Sequence, residues 1–276
     1  MVIKINEQEL ELLSAFIYKN SGIVLDKSKA YLFESRLSPV MNELKISSYG
    51  ELYNQILRDR TGKLTTKVID AVCTNETYFF RDDSYFRLFV QKLLPDFFEA
   101  NPSGTLKVWS AAASTGQEVY SLIMSLIDAG IDTNMFRTKF LATDISDKAI
   151  AKASLGEYTQ FEISRGIPPN KLDKFFVPHG HNWRISDKVR SMVQFKKANL
   201  LDRQQLLRLG KFDIIYCRNV AIYFNREDRK TMFETLHEML NNGGVLVIGA
   251  TESLIGLTDK FTKMSFNGIV YYKKSE

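Results

Sequence analysis

The sequence predicts an α/β fold, in which a mostly parallel sheet is wrapped by helices and an all-helical region precedes it. Three observations lead to this prediction. From residue 105 onward, strand-like apolar runs alternate with helical patterns, which is typical of a parallel sheet covered by helices. Near the end of the chain, Asn267 and Gly268 separate two strand-like runs and predict an antiparallel hairpin. Up to about residue 72, apolar residues recur only at helical spacing.

Residues 1–72 are predicted to form a domain of short helices. Four apolar faces follow one another, and Pro39 interrupts the second. Because short helices are marginal in water, these faces must pack on one another or on the next domain. Residues 73–104 are predicted to link the two regions. Their aromatic-rich helix, from Tyr85 to Phe98, ends at the loop signal of residues 101–104.

Residues 105–276 are predicted to form the sheet domain. Strands are expected near 106–110, 139–143, 192–198, 212–217 and 244–249, before the hairpin. Helices are expected near 117–129, 146–154, 202–209 and 226–240. A parallel sheet that ends in an antiparallel hairpin is typical of Rossmann-like class I methyltransferases rather than of dinucleotide-binding folds. The segment of about 156–197, rich in charge, glycine and proline, is expected to be an inserted subdomain.

The composition is that of an ordinary globular protein, with 276 residues that are 45% hydrophobic and 25% charged. No apolar run is long enough for a signal peptide or a membrane helix, so we expect a cytoplasmic protein without membrane insertion. Cys73 and Cys217 are too few for a disulfide framework, and His179 and His181 lack further ligands, so no metal is expected. The net charge of +5 is concentrated between 160 and 197, which favours a local acidic partner over nucleic acid.

Residues 109–121 predict a ligand site. A β-rich run leads through the small side chains of residues 111–114 into an apolar helix. In open α/β sheets, ligands bind at the carboxyl ends of strands, where such loops allow the backbone to approach closely. Only Gly116 is present, so the GxGxxG fingerprint of dinucleotide sites is absent. We therefore expect a nucleoside site without a pyrophosphate.

Two acidic residues are candidates for that ligand. Asp144 ends the second predicted strand, where a carboxylate can accept hydrogen bonds from both hydroxyls of a ribose. The alternative is a helix cap, although Ser146 or Asp147 is better placed for it. Glu118 begins the following helix, where it either contacts the amino-acid or sugar part of the ligand or only complements the helix dipole.

Polar residues also follow two later strands. Asn199 and Leu200 come after one strand, and Asn219 and Val220 come after another, so both pairs are expected at the cleft. An asparagine amide can bond an adenine edge or a backbone group, and the alternative is a turn-forming role. Tyr223 lies four residues further on, either in the site or in the core.

The segment of residues 75–82 combines three consecutive aromatic residues with polar groups that could converge on a ligand. In the alternative interpretation, the aromatic residues anchor the helical region to the sheet, and Arg81 pairs with Asp82 or Asp83.

Five motifs in this order, TNETYFFRD, WSAAASTGQEVYS, ATDIS, FDIIYCRNVAIYF and GATESL, resemble the CheR family of chemotaxis-receptor methyltransferases, over roughly residues 7–274. The resemblance implies an S-adenosylmethionine-dependent protein-glutamate O-methyltransferase. Its partners would be methyl-accepting chemotaxis receptors, on whose cytoplasmic helices it would form γ-glutamyl methyl esters, with S-adenosylhomocysteine as the other product. It also implies a helical N-terminal domain and a small β subdomain inserted in the sheet domain.

The resemblance also assigns site residues. Carried over position by position, the cosubstrate contacts fall on Asn75, Thr77, Arg81, Glu118, Asp144, Asn199, Leu200, Asn219 and Val220. Arg81 and Tyr223 are the candidate catalytic residues. A glutamate is already ionised at neutral pH, so no strong base is needed. Because attack on a sulfonium methyl removes charge, we expect Arg81 to hold the methionine carboxylate or close the cleft rather than clamp the attacking carboxylate.

The sequence departs from the family pattern in three places. Gln117 and Val119 stand where an acidic residue and a proline are frequent, and Ser146 replaces a frequent second acid. The insert sequence VPHGHNWRISDKVR lacks the glycine-spaced loop of members that bind a receptor's C-terminal peptide, which favours action without such a tether. The second helix of the N-terminal domain is also less basic than in members where it faces the receptor.

Two other functions are weighed against this one. A nucleic-acid methyltransferase of the same fold is expected to show an Asn/Asp-Pro-Pro-aromatic loop, but residues 218–221 read Arg-Asn-Val-Ala. A non-enzymatic adaptor that keeps the nucleoside site would bind the cosubstrate without transferring its methyl group. We expect a monomeric enzyme that does not act on nucleic acid.

Overall fold

The computed structural model describes residues 3–25, 27–130 and 137–275. The N-terminal region is a cluster of four helices: α1 (Glu7–Ser21), α2 (Ala30–Leu44), α3 (Tyr49–Arg58) and α4 (Lys63–Val72). α1 begins with a capping box, since the Asn6 side chain accepts from the Glu9 N–H and the Glu9 carboxylate accepts from the Asn6 N–H. Each helix buries one apolar face in a shared core, so the cluster is stabilised by packing between helices.

An irregular helical segment connects this cluster to the sheet. It consists of α5 (Ser84–Leu88), a π-helical turn (Phe89–Leu93) and α6 (Leu94–Ala100). The π turn lies where the single aromatic-rich helix was predicted, so that helix is present but locally widened. Phe89 contacts Phe140 and Tyr216 edge to face and is fully buried, so this segment covers one side of the sheet.

The main sheet has seven strands in the order β6-β2-β1-β7-β8-β10-β9. They are β1 (Leu106–Ala111), β2 (Thr138–Asp144), β6 (Val193–Lys197), β7 (Phe212–Cys217), β8 (Leu240–Ile248), β9 (Phe261–Phe266) and β10 (Ile269–Lys274). The first five of these strands run parallel, and β10 is antiparallel to both β8 and β9. The β9–β10 turn holds Asn267 and Gly268 at positive φ, as the hairpin prediction requires.

Helices cover both faces of this sheet. They are α7 (Gln117–Asp128), α8 (Asp147–Leu155), α12 (Arg203–Leu207) and α13 (Arg226–Met239). Neighbouring residues of β1 alternate between the two cores, with Val108 in one and Trp109 in the other. β1 lies between β2 and β7, so the chain order reverses there. A crevice opens at such a point, outside the carboxyl ends of the strands.

The inserted segment forms its own small antiparallel sheet, in the order β3-β5-β4. Its strands are β3 (Glu157–Thr159), β4 (Phe176–His179) and β5 (Asn182–Ile185), accompanied by the short helices α9 (Gln160–Ser164), α10 (Pro169–Phe175) and α11 (Asp187–Arg190). Within the predicted insert of 156–197, β6 pairs instead with β2 of the main sheet. Phe79, in the segment before α5, packs against the insert, with its ring edge to face against Tyr158 and Phe176.

Hydrogen bonds connect the helical cluster directly to the sheet domain. Val24 N–H donates to the Tyr223 carbonyl over 3.1 Å, and the Asn199 amide donates to the Asn20 carbonyl over 3.1 Å. Packing is tight at Gly22, where an added Cβ would lie 2.1 Å from the Leu201 side chain. The end of α1 is therefore fixed over the crevice. In the described part of the chain, no helix has the length and apolar character needed to cross a membrane.

Candidate active site

A cavity of about 410 Å³ lies at the carboxyl ends of β1, β2 and β7. The helical cluster and the segment before α5 form its other walls. All ten predicted site residues line it: Asn75, Thr77, Arg81, Glu118, Asp144, Asn199, Leu200, Asn219, Val220 and Tyr223. Parallel strands place their carboxyl ends at one edge of the sheet, which explains why residues so distant in sequence meet there.

The loop after β1 approaches the cavity with its backbone. Ala112 and Ser114 have φ values of 59° and 51°, in the left-handed region that non-glycine residues rarely adopt. Gly116 follows at 93°, and a Cβ there would lie 3.0 Å from Ala153 and 3.1 Å from Tyr120. Ala113 N–H donates to the Thr143 carbonyl over 2.8 Å and ties the loop to β2. Small side chains in a strained, anchored loop leave space for a flat ligand beside the backbone.

Asp144 is 7% exposed, and its carboxylate supports the same loop. One oxygen accepts from Ser114 N–H over 2.8 Å and the other from Ser146 N–H over 2.9 Å. The helix-cap alternative for Asp144 is wrong, because the Ser146 hydroxyl accepts from Ala149 N–H and caps α8. Burial raises the pKa of Asp144, while hydrogen bonds from the Ser146, Ser114 and Ile145 N–H groups act against that rise. A carboxylate has about four acceptor positions, so a position remains for a ligand hydroxyl.

Glu118 belongs to a buried polar network that the sequence analysis did not identify. Its carboxylate accepts from the Ser110 hydroxyl over 2.8 Å and from the Arg218 guanidinium over 3.1 Å. The Arg218 side chain is 1% exposed, pairs with Asp82 over 2.7 Å and lies 4.0 Å from the centre of the Tyr85 ring. Both Glu118 and Arg218 line the cavity. Each oxygen of the Glu118 carboxylate already accepts one hydrogen bond from within the protein.

Arg81 does not make the ion pairs of the alternative interpretation. It donates to the Glu76 carbonyl over 3.1 Å and lies 5.7 Å from the centre of the Tyr78 ring. Asp82 pairs with Arg218, and Asp83 pairs with Arg87. The aromatic residues do anchor the segment, since Phe79 is fully buried, but the Arg81 guanidinium remains on the cavity wall.

Asn199 forms the turn that was the alternative for it, and it also bonds the helical cluster. Its carbonyl oxygen accepts from Leu201 N–H over 3.0 Å, which forms a turn, and its amide donates to Asn20 in the helical cluster. One donor and one lone pair of the side chain remain for a ligand.

The loop after β7 is held by Glu252, a residue of the GATESL motif that was not proposed for the site. Its carboxylate accepts four backbone N–H bonds, from Asn219, Val220, Ala221 and Gly249, at 2.7–3.1 Å. Asn219 takes a φ of 59° in this arrangement. Glu252 therefore positions the loop that brings Asn219, Val220 and Tyr223 to the cavity. The Tyr223 hydroxyl has no hydrogen-bond partner among the residues described.

The reactive side chains of the cavity are few. Cys73 lines it, and burial raises the pKa of its thiol to about 12, so the thiol stays protonated at neutral pH. Residues 3–25, 27–130 and 137–275 contain no group of three or more His, Cys, Asp or Glu side chains arranged to hold a metal ion.

The basic patch predicted in the insert is largely neutralised within the chain. Arg165 pairs with Glu76 over 2.6 Å, and Lys171 and Lys174 both pair with Asp128. These contacts bind the insert to the sheet domain and leave fewer free cations for an outside partner.

The fold and the site together define a class I methyltransferase, with a parallel sheet ending in a hairpin and a nucleoside-sized cavity at its switch point. Residues 75–270 match the family model described as the SAM-binding domain of CheR methyltransferases, and residues 8–73 match their all-alpha domain. The chain therefore belongs to the CheR methyltransferase family, and it is an S-adenosylmethionine-dependent enzyme.

Curated relatives agree with this assignment over nearly the whole chain. The chemotaxis protein methyltransferase Cher2 of Pseudomonas putida is 39% identical over 272 residues, covering 96% of this chain and 98% of its own length. Chemotaxis protein methyltransferase 1 of Pseudomonas aeruginosa is 40% identical with the same coverage. The chemotaxis protein methyltransferase of Borreliella burgdorferi is 32% identical, covering 92% of this chain and 91% of its own. The predicted family, fold and enzyme class are thus confirmed.

Proposed function

We propose that this enzyme transfers the methyl group of S-adenosylmethionine to glutamate side chains of the cytoplasmic helices of chemotaxis receptors. The products are γ-glutamyl methyl esters and S-adenosylhomocysteine. The observation that carries the proposal is the convergence of the ten predicted residues on one cavity between sheet and helical cluster. The names of the relatives, all chemotaxis protein methyltransferases, support the receptor as substrate.

The chemistry requires positioning more than acid–base catalysis. The glutamate oxygen forms a bond to the methyl carbon while the carbon–sulfur bond breaks and its electron pair goes to sulfur, so no proton moves. A free glutamate has a pKa of about 4.3 and is already a nucleophile at neutral pH. No histidine is among the described residues that line the cavity. In-line alignment of the two reactants supplies most of the acceleration.

Three side chains receive roles in this proposal. Asp144 accepts from a ribose hydroxyl, which suits its place at the end of β2. Arg81 binds the methionine carboxylate, since its one hydrogen bond to the described residues, to the Glu76 carbonyl, leaves donors free. Tyr223 donates its hydroxyl to the attacking glutamate, because a neutral donor orients a carboxylate without holding its full charge.

A methyl-transfer assay tests the proposal. S-adenosylmethionine carrying a labelled methyl is incubated with a purified receptor cytoplasmic domain, and esters are then released with alkali. Alkali-labile label on the receptor is expected. Binding of S-adenosylhomocysteine without any transfer would instead indicate an adaptor, and label on RNA would indicate a nucleic-acid enzyme; either result refutes the proposal.

We further propose that the enzyme acts as a cytoplasmic monomer and needs no tether to the receptor C-terminus. The absence of a glycine-spaced loop between residues 177 and 190 supports action without a tether. Receptor domains with and without their last residues should be methylated at equal rates, and sedimentation should give the mass of one chain. A large loss of rate on truncation would contradict the first point, and a dimer the second.

A further inference from the structure

A second cavity, of about 270 Å³, adjoins the active site on the outer surface of the protein. Ile222 lines both cavities, so the two are neighbours at this residue. We call the outer cavity the arginine groove and define it by Ile222, Arg226, Arg229 and Ile255. None of these four residues has a role in the proposed reaction.

The arginine groove exposes large apolar side chains. Ile255 is 79% exposed and Ile222 is 56% exposed. Val24, also exposed, continues the apolar surface toward the active site, where its N–H donates to the Tyr223 carbonyl over 3.1 Å. Single exposed apolar residues are common, but a row of them that runs into a catalytic cavity is typical of a binding surface.

The arginine groove also contains positive charge that the protein does not neutralise. Arg226 donates to the Gly256 carbonyl over 2.8 Å, and the Arg229 Nε is buried without a hydrogen-bond partner. Neither arginine pairs with a carboxylate of the described residues. Glu252 lines the same cavity, but its two oxygens already accept four backbone N–H groups. Arg226 is exposed, so its charge is open to a partner from outside.

We propose that the arginine groove binds the receptor helix next to the glutamate that is being methylated. This inference rests on the proposed function, since it takes the substrate to be an acidic amphipathic helix. On such a helix, residues three, four and seven positions apart share a face. A glutamate that enters the cavity beside Tyr223 therefore places neighbouring carboxylates and apolar residues of that face outside it. Arg226, Arg229 and Ile255 match those two kinds of side chain.

Two single substitutions test the groove without altering the active-site cavity. Ile255→Glu places a like charge opposite an acidic helix at a solvent-exposed position. Arg226→Glu removes a cation, and an acidic residue is favourable in the first turn of α13, so the fold is expected to be retained. The matched controls are Leu57→Glu, at an exposed apolar residue of α3 that is 61% exposed, and Arg208→Glu, at an exposed arginine after α12.

The expected result is a change in receptor recognition alone. The KM for the receptor domain should rise about tenfold in each groove variant, as for a truncated interface hot spot, and stay unchanged in both controls. Affinity for S-adenosylhomocysteine and kcat at saturating receptor should match the wild type. Added salt should raise the KM of the wild type more than that of Arg226→Glu, because fewer ion pairs remain to be screened.

Other results would overturn the inference. If the wild type methylates the receptor and both groove variants keep its KM, the groove is not the docking site and the proposed function stands. If the wild type sediments as a dimer that Ile255→Glu dissociates, the occupant is a second copy of this chain. If the wild type methylates no receptor domain, the proposed function fails, and the docking proposal fails with it.

Discussion

Asp144 has two roles in the structure, the support of the loop after β1 and an acceptor position for the ligand, and replacing it with alanine removes both. The carboxylate accepts from Ser114 and Ser146 N–H groups and keeps an acceptor position toward the cavity. A hydrogen bond to a charged acceptor contributes about 1.5–3 kcal/mol, which corresponds to a loss of about 10-fold to 150-fold in affinity for S-adenosylhomocysteine. Release of the Ser114 N–H adds to this loss, because the strained loop that faces the nucleoside loses its support.

Stability should also respond, in a way that depends on pH. Burial raises the pKa of Asp144, so the ionised carboxylate is less favourable in the folded chain than in the unfolded chain. With a raised folded pKa, its contribution to stability is largest at low pH and falls as pH rises through the window from 3.8 to the folded value. At neutral pH, relief of this burial cost offsets part of the cost of the lost backbone hydrogen bonds.

Isothermal titration with S-adenosylhomocysteine, together with thermal unfolding of the unliganded protein, tests both statements. Asp147→Ala is the matched control, because Asp147 lies three residues away, pairs with Lys197 over 2.7 Å and does not line the cavity. The control should bind like the wild type. Near wild-type affinity of Asp144→Ala would refute the ribose assignment. Equal losses in both variants would show that the site responds to any change in this loop.

Three further predictions concern the rest of the site. Arg81→Ala should weaken S-adenosylhomocysteine binding about tenfold by calorimetry; an unchanged dissociation constant with lost turnover would assign Arg81 to the glutamate instead. Tyr223→Phe should lower kcat about tenfold with unchanged cosubstrate affinity, and an unchanged kcat would remove Tyr223 from the reaction. Glu252→Gln should lower both Tm, by about 2–8 °C, and kcat, because an amide oxygen cannot satisfy four N–H groups and a loss of about 1–3 kcal/mol is expected. A wild-type melting curve for that variant would contradict the positioning role of Glu252.

The fold was predictable where the sequence pattern is long. The alternation of strands and helices after residue 105, the hairpin at Asn267 and Gly268, and the helical N-terminal region each extend over enough residues to show a period. In contrast, β3, β4 and β5 of the insert have three or four residues each, which is too short for alternation to be read. The π turn at Phe89–Leu93 was also missed, because its apolar spacing fits an ordinary helix.

The site was predictable where a residue follows a strand, and unpredictable where its role depends on a distant partner. Arg218 pairs with Asp82 and Glu118, which lie 136 and 100 residues away in sequence. No local pattern distinguishes such a buried arginine from an exposed one. The only available signal was its place after the wholly apolar end of β7, where a lone charge needs a buried partner. Glu252 likewise bonds residues about 31–33 positions earlier.

The pairing of Arg218 inside the cavity limits how tightly the anionic substrate is held. Arg218 is paired with two carboxylates, Arg36 donates to the Val72 carbonyl and the Thr74 hydroxyl, and Arg81 donates to the Glu76 carbonyl. Of these three, only Arg218 is neutralised by carboxylates, whereas Arg81 keeps its charge and donors for the methionine carboxylate of the cosubstrate. Because methylation removes the charge of the glutamate, a free cation beside it would stabilise the ground state more than the transition state. The neutralised Arg218 inside the cavity and the unpaired Arg226 in the arginine groove therefore fit one enzyme, which attracts an acidic helix outside and does not clamp the reacting carboxylate with Arg218 inside.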